Sequence, residues 1–201
     1  MKTIDEIIDL LNATFNQYVN IPFDEMEDFA DSHNLYFDGG ETRLVLIHDK
    51  WDEVIKIPFF DNVSTDYCQI ELENYNHAVV AGIERIFLPI RLVRTLDNGL
   101  PIYAQKKYTC SYSMAHRTHP HLVRDRNQPH TKLTRKGLQE MHDYYRIHEQ
   151  WWNRAWQIYG KQFMRILEDF TKDHEIGDLH GNNIGFLGKF PIILDYAGFF
   201  E

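Results

Sequence analysis

Three short segments of the 201-residue chain carry side chains whose types and spacing could do chemistry. The first is Val54-Ile55-Lys56-Ile57, downstream of Gly39-Gly40. A lysine among such neighbours is costly to bury unless its ammonium meets an anion. The second is Asp178-Leu179-His180-Gly181-Asn182-Asn183, where an aspartate and an asparagine on a tight loop can aim two oxygens into one cleft. The third is Leu194-Asp195-Tyr196-Ala197-Gly198, an aspartate ending an apolar run and followed by small residues. Hard oxygen ligands of this kind suit Mg²⁺, which takes few carboxylates and completes its shell with substrate phosphates. With a lysine for those phosphates, the parts needed for phosphoryl transfer are present.

The elements that must position these groups follow from periodicity. Ile4, Ile7, Ile8, Leu11 and Phe15 recur at helical spacing over residues 3–18, and residues 23–33 predict a second, acidic helix. From Leu35 the period shortens, and β-branched and aromatic runs broken by Asp38-Gly39-Gly40 and His48-Asp49-Lys50 predict three antiparallel strands. Residues 66–83 suit a helix with a Cys68, Leu72, Tyr75 and Val79 stripe. Two strand-like runs, FLPIRLV and PIYAQKKY, flank the turn signal Asp97-Asn98-Gly99. The sum is a five-stranded sheet carrying one main helix. Residues 109–131 read as a polar, His-rich loop, 134–147 and 149–173 as two helices, and Ile184–Phe186 with Pro191–Leu194 as a hairpin turning at Gly188-Lys189.

Composition sets the outer bounds. With 43% hydrophobic and 25% charged residues the chain is neither disordered nor fibrous. It holds no apolar run long enough for a membrane span, and its acidic N-terminal segment does not read as a signal peptide. Two cysteines, Cys68 and Cys110, are too few for a disulfide framework, which points to a reducing cytoplasm. Net charge is −9, yet residues 106–136 hold eight cations and one anion. Such an island is a solvated loop or a contact for an anionic partner.

Taken in order, the three segments resemble the protein-kinase-like superfamily. Val54-Ile55-Lys56 is similar to its strand-three lysine element. Asp178 through Asn183 is similar to the catalytic loop, in the D-L-H-x-x-N form of aminoglycoside and choline kinases, and Asp195-Tyr196-Ala197-Gly198 is similar to a D-F-G one residue longer. The overall impression is of compact kinase-like proteins of bacteriophages. The resemblance covers about residues 35–198. It implies an α+β, bilobal protein-kinase-like fold: a helical extension over 1–34, an N-lobe with a five-stranded antiparallel sheet over 35–107, and a truncated helical C-lobe over 108–201. It also implies ATP and Mg²⁺ as cofactors. Lys56 would hold the phosphates and pair with an acid on the following helix, for which Glu71 is placed beside the packed stripe. Asp178 would be the base or orienter for the acceptor hydroxyl, His180 would stand near the transferring phosphate, and Asn183 and Asp195 would ligate Mg²⁺. Gly39 and Gly40 would bring backbone N–H groups to the phosphates, and the segment from Gln105 to Tyr108 would form the adenine hinge, with Gln105 and Lys107 binding the nucleotide.

The sequence also departs from that pattern. Ile176 stands where many relatives carry the histidine that braces the loop, and three residues follow Gly198, so no activation segment or later helix is expected. The acceptor end of the cleft is therefore expected to be incomplete. His116, His119, His121 and His130 sit without companion cysteines or carboxylates at metal spacing and read as loop rather than as a zinc site. Tyr108 and Tyr112 make a thin platform for bases, so no nucleic-acid partner is expected. Two functions stand side by side: a phosphotransferase acting on a hydroxyl acceptor, or a catalytically inactive, pseudokinase-like protein engaging a host partner through its basic His-rich segment.

Overall fold

A computed structural model describes residues 2–39, 42–59, 65–107, 135–177, 179 and 183–197, with the backbone alone over 135–148. The chain is α+β and divides into two compact units, residues 1–79 with 88–107, and residues 80–87 with 108–201.

In the first unit, helix α1 (Ile4–Phe15) opens with a capping box, Thr3 Oγ1 accepting from the Glu6 amide and Glu6 Oε2 from that of Thr3. It buries Ile7, Ile8, Leu11 and Phe15. Helix α2 (Phe23–Ser32) buries Met26, Phe29 and Ala30. Strands β1 (Tyr36–Gly39), β2 (Arg43–Ile47), β3 (Glu53–Pro58), β4 (Ile90–Thr95) and β5 (Pro101–Lys106) form one antiparallel sheet in the order β1-β2-β3-β5-β4. The two-residue period sorts its side chains. Leu44, Leu46, Ile55, Ile57 and Ile102 join the core built by α1 and α2. The alternate positions, Arg43, Lys56 and Tyr103, face helix α3 (Tyr67–Ala81). The segment read as an extension thus shares its core with the sheet. The Asp97-Asn98-Gly99 turn fastens it: Asn98 Nδ2 donates to the carbonyls of Phe15 and Tyr18 at 3.0 and 2.6 Å.

Three expectations about elements change. The run FLPIRLV is strand only from Ile90, because Pro89 cannot donate to a ladder, and Phe87 instead bridges to Ile193 in the second unit. Helix α3 buries Tyr67, Cys68, Glu71, Asn74 and Ala78, while Val79 is exposed, so its inner face is partly polar. No break occurs near residue 148: helix α4 (Arg135–Asp173) runs on and is interrupted at Gly160, with φ 80° and ψ 166°. Those angles belong to a region essentially reserved for glycine.

The second unit is organised by α4 and by the hairpin β6 (Ile184–Leu187) and β7 (Phe190–Ile193). Gly188, with φ 62°, supplies the left-handed turn. Fully buried Trp151 donates its Nε1–H to the carbonyls of Gly185 and Ile192 at 2.8 and 3.2 Å. The Tyr159 hydroxyl donates to the Pro191 carbonyl at 2.6 Å, and burial pushes that hydroxyl up to about 12. Ile176 is buried, occupying apolar space where a histidine brace was the alternative. Among the described residues no helix is long and apolar enough to cross a membrane.

Candidate functional site

Lys56 lies in β3 opposite Val45 of β2 and Tyr103 of β5, on the face that α3 covers. Its Nζ donates to both carboxylate oxygens of Glu71, at 3.1 and 2.8 Å. Glu71 is wholly buried and Lys56 is only 6% exposed. The carboxylate is the anion that a buried ammonium demands. Position 71 faces the sheet because it follows Tyr67 and Cys68 by one helical turn. Glu73, two residues on, is exposed and bonds Gln69.

Arg43, which the sequence reading passed over, belongs to the same cluster. It is buried at the start of β2, and its Nη1 donates to Glu71 Oε2 at 3.0 Å. One carboxylate therefore receives two cations. No local signal announces it: only once the register pairs Val45 with Lys56 does counting by twos put Arg43 on the same face. Tyr103 was also missed. Its hydroxyl donates to Asp66 Oδ2 at 2.8 Å and lies 3.1 Å from Gln69 Oε1. Asp66 in turn caps α3, its Oδ1 accepting from the Gln69 amide at 2.9 Å. Cys68, beside these charges, is fully buried, and burial drives its thiol up to about 12 despite Arg43 and Lys56.

In the second unit, Asn183 and Asp195 fall at the same end of the β6–β7 hairpin. Ile184 pairs with Ile193, and the Leu194 amide donates to the Asn183 carbonyl at 2.8 Å, so Asp195 is one residue beyond that bond. The hairpin register thus puts at one end two residues 12 positions apart in sequence, each with an oxygen-bearing side chain. An asparagine and an aspartate are a donor set that fits Mg²⁺, which needs one or two such ligands beside phosphate oxygens. Among the described residues no three His, Cys, Asp or Glu side chains gather as a metal cluster.

Other expected residues have local duties. A Cβ on Gly39 would run into the exposed Phe23 ring of α2, which would have to shift, so the close approach of that ring already favours a glycine there. Gln105 is buried in β5 with its Nε2 donating to the Leu88 carbonyl at 3.3 Å. Lys107 Nζ donates to the carbonyls of His48 and Asp49 at 3.0 and 3.2 Å, holding the β2–β3 turn. A cavity of about 790 Å³ in the first unit is lined by Lys107 with Trp51, Glu53 and Arg91 but not by Lys56. The Lys56–Glu71 chemistry carries more weight than that opening, whose Arg91 is already paired with Glu53 at 2.6 Å. Gly40, Asp178, His180, Gly198 and the His-rich segment from Tyr108 to Thr134 lie outside the described residues. Compared with known proteins, the chain matches no family model, no curated protein and no solved structure.

Proposed function

We propose that the chain is a kinase-like phosphotransferase that binds ATP with Mg²⁺ and transfers the γ-phosphoryl group to a hydroxyl acceptor, on a protein Ser or Thr or on a small molecule. The observation that carries this reading is the buried Lys56–Glu71 pair, with Nζ at 2.8 and 3.1 Å from the two oxygens. An ammonium has three donors and Glu71 takes two, so the pair fixes the direction of the third, which would meet a phosphate oxygen. The shared hairpin end of Asn183 and Asp195 supports a Mg²⁺ site. When bound, ATP with Mg²⁺ supplies the phosphoryl group and neutralises its charge. In this reading Asp178 orients the acceptor hydroxyl and takes its proton, and His180 stands beside the transferring group. Incubation with γ-labelled ATP and Mg²⁺, offering protein and small-molecule hydroxyl acceptors, tests this. Wild type should transfer label and Asp178→Ala should lose most of it; equal turnover ends the catalytic reading.

A second reading is a catalytically silent, pseudokinase-like module that engages a partner through residues 106–136. It is favoured by Gln105 and Lys107, whose side chains are engaged by the unit's own carbonyls. Thermal unfolding separates the two. ATP with Mg²⁺ at 100 times Kd should add about 2.7 kcal/mol to a competent chain, and a silent module should not shift.

A further inference from the structure

The Glu71 cluster is built from more pieces than an ion pair requires. Oε2 of Glu71 accepts from Arg43 Nη1 at 3.0 Å and from Lys56 Nζ at 2.8 Å. Arg43 Nε also reaches its neighbour Thr42 Oγ1 at 3.3 Å, which steadies the guanidinium. One turn earlier, the capping residue Asp66 is held by the Tyr103 hydroxyl. The helix that presents Glu71 is thus anchored from three strands, by Arg43 on β2, Lys56 on β3 and Tyr103 on β5. All these residues belong to the first unit.

We propose that Arg43 is a positioning residue for the Lys56–Glu71 pair, that Tyr103 assists it by pinning the start of α3, and that the pair is consequently assembled by the first unit's own contacts. Its bearing on phosphoryl transfer rests on the function proposed above. Arg43 holds one carboxylate oxygen from the side, and Lys56 then spans both. A guanidinium suits that task because its planar donors fix the carboxylate's orientation, whereas an ammonium is a point charge. The charged and titratable groups around the pair are Arg43 from β2, Asp66 ahead of α3, Cys68 and Glu71 on α3, and Tyr103 from β5. A rival role predicts the opposite sign. Were Arg43 only a competitor for Glu71, its removal would leave Lys56 the whole carboxylate and strengthen the pair.

The test reads Lys56 directly in the full chain without nucleotide. Trace acetylation at one fixed pH, quantified by peptide mass spectrometry, reports how firmly each amine is held by its partners. In Arg43→Gln, the Glu71 carboxylate loses the donor that orients it, the Lys56 ammonium is held less firmly, and Lys56 labelling should rise about tenfold, the factor that losing one hydrogen bond to a charged group makes. Arg43→Lys should bring labelling at least halfway back, and Tyr103→Phe should raise it less but in the same direction. Lys107, held by backbone carbonyls in the same unit, is the internal control and should not change. A fall or no change at Lys56, or an equal rise at Lys107, overturns the proposal. If Arg43→Gln fails to fold, as judged by far-UV circular dichroism, the other two variants decide: unchanged Lys56 labelling in both overturns it. Expected labelling together with absent phosphotransfer would instead sink the functional reading and leave the positioning role standing.

Discussion

Removing the charge of Glu71 should be more costly than removing either cation that it serves. Glu71 is fully buried and accepts two hydrogen bonds from Lys56 and one from Arg43, at 2.8 to 3.1 Å. In Lys56→Met, Glu71 keeps its bond to Arg43, and the loss is that of hydrogen bonds to a charged group, about 1.5–3 kcal/mol. In Glu71→Gln, two buried cations lose their shared carboxylate at once, and breaking a buried pair in this way costs about 3–5 kcal/mol. Against a typical domain stability of about 5–15 kcal/mol that is about a fifth or more. Because the chain has two compact units, the measurement should be local. Hydrogen exchange of peptides from α3 and β5, with urea titration for the whole chain, gives both values. An apolar triple variant, Arg43→Met with Lys56→Met and Glu71→Leu, should recover most of the stability, since well-packed apolar groups often replace buried ions at no loss. It should also abolish phosphotransfer. Glu71→Gln proving milder than Lys56→Met would refute the shared-carboxylate reasoning.

Two further outcomes are expected. At an ordinary helix interior Gly→Ala gains about 1 kcal/mol; Gly160→Ala should instead lose about 1–3 kcal/mol, because φ 80° and ψ 166° are strained for any side chain, and a gain in urea midpoint would contradict this. Stability should hold level to about pH 8 and then fall on the alkaline side. Burial raises the Cys68 thiol from 9.0 to about 12 and the Tyr159 hydroxyl from 10.0 to about 12. Burial and the bond to Asp66 also raise Tyr103. A raised folded pKa means that the unfolded chain releases its proton first. The contribution is whole below the unfolded value and disappears as pH climbs to the folded one, at about 1.4 kcal/mol per pH unit for each group. Urea midpoints from pH 7 to 11 check this, and Cys68→Ala should delay the onset by about one unit, from the ordinary thiol value to the ordinary tyrosine value. A midpoint level from pH 9 to 11 would contradict it.

What the sequence disclosed, and what it hid, follows from the range of the forces involved. The strands and the hairpin at Gly188 were legible because a two-residue period and a left-handed glycine are local signals. Glu71 was legible because helical geometry alone relates it to Cys68. Arg43 was hidden because its partnership needs the β2–β3 register, which no residue near it announces. The exposure of Val79 was hidden for a related reason: α3 buries Cys68, Glu71, Asn74 and Ala78, a face whose Glu71 meets partners distant in sequence. The interruption at Gly160 was hidden as well, since a glycine within a helical pattern ordinarily continues it at modest cost. Next to that glycine, Tyr159 bonds the Pro191 carbonyl across the unit and stacks on Phe163 at 4.7 Å between ring centres. In an unbroken helix residues four apart already share a face, so the stack does not by itself demand the interruption. Arg85 then lies over both rings, 5.2 and 4.6 Å from their centres. Tyr159→Phe, which keeps the stack but loses the hydroxyl bond, isolates how much of the geometry at Gly160 the Pro191 contact maintains.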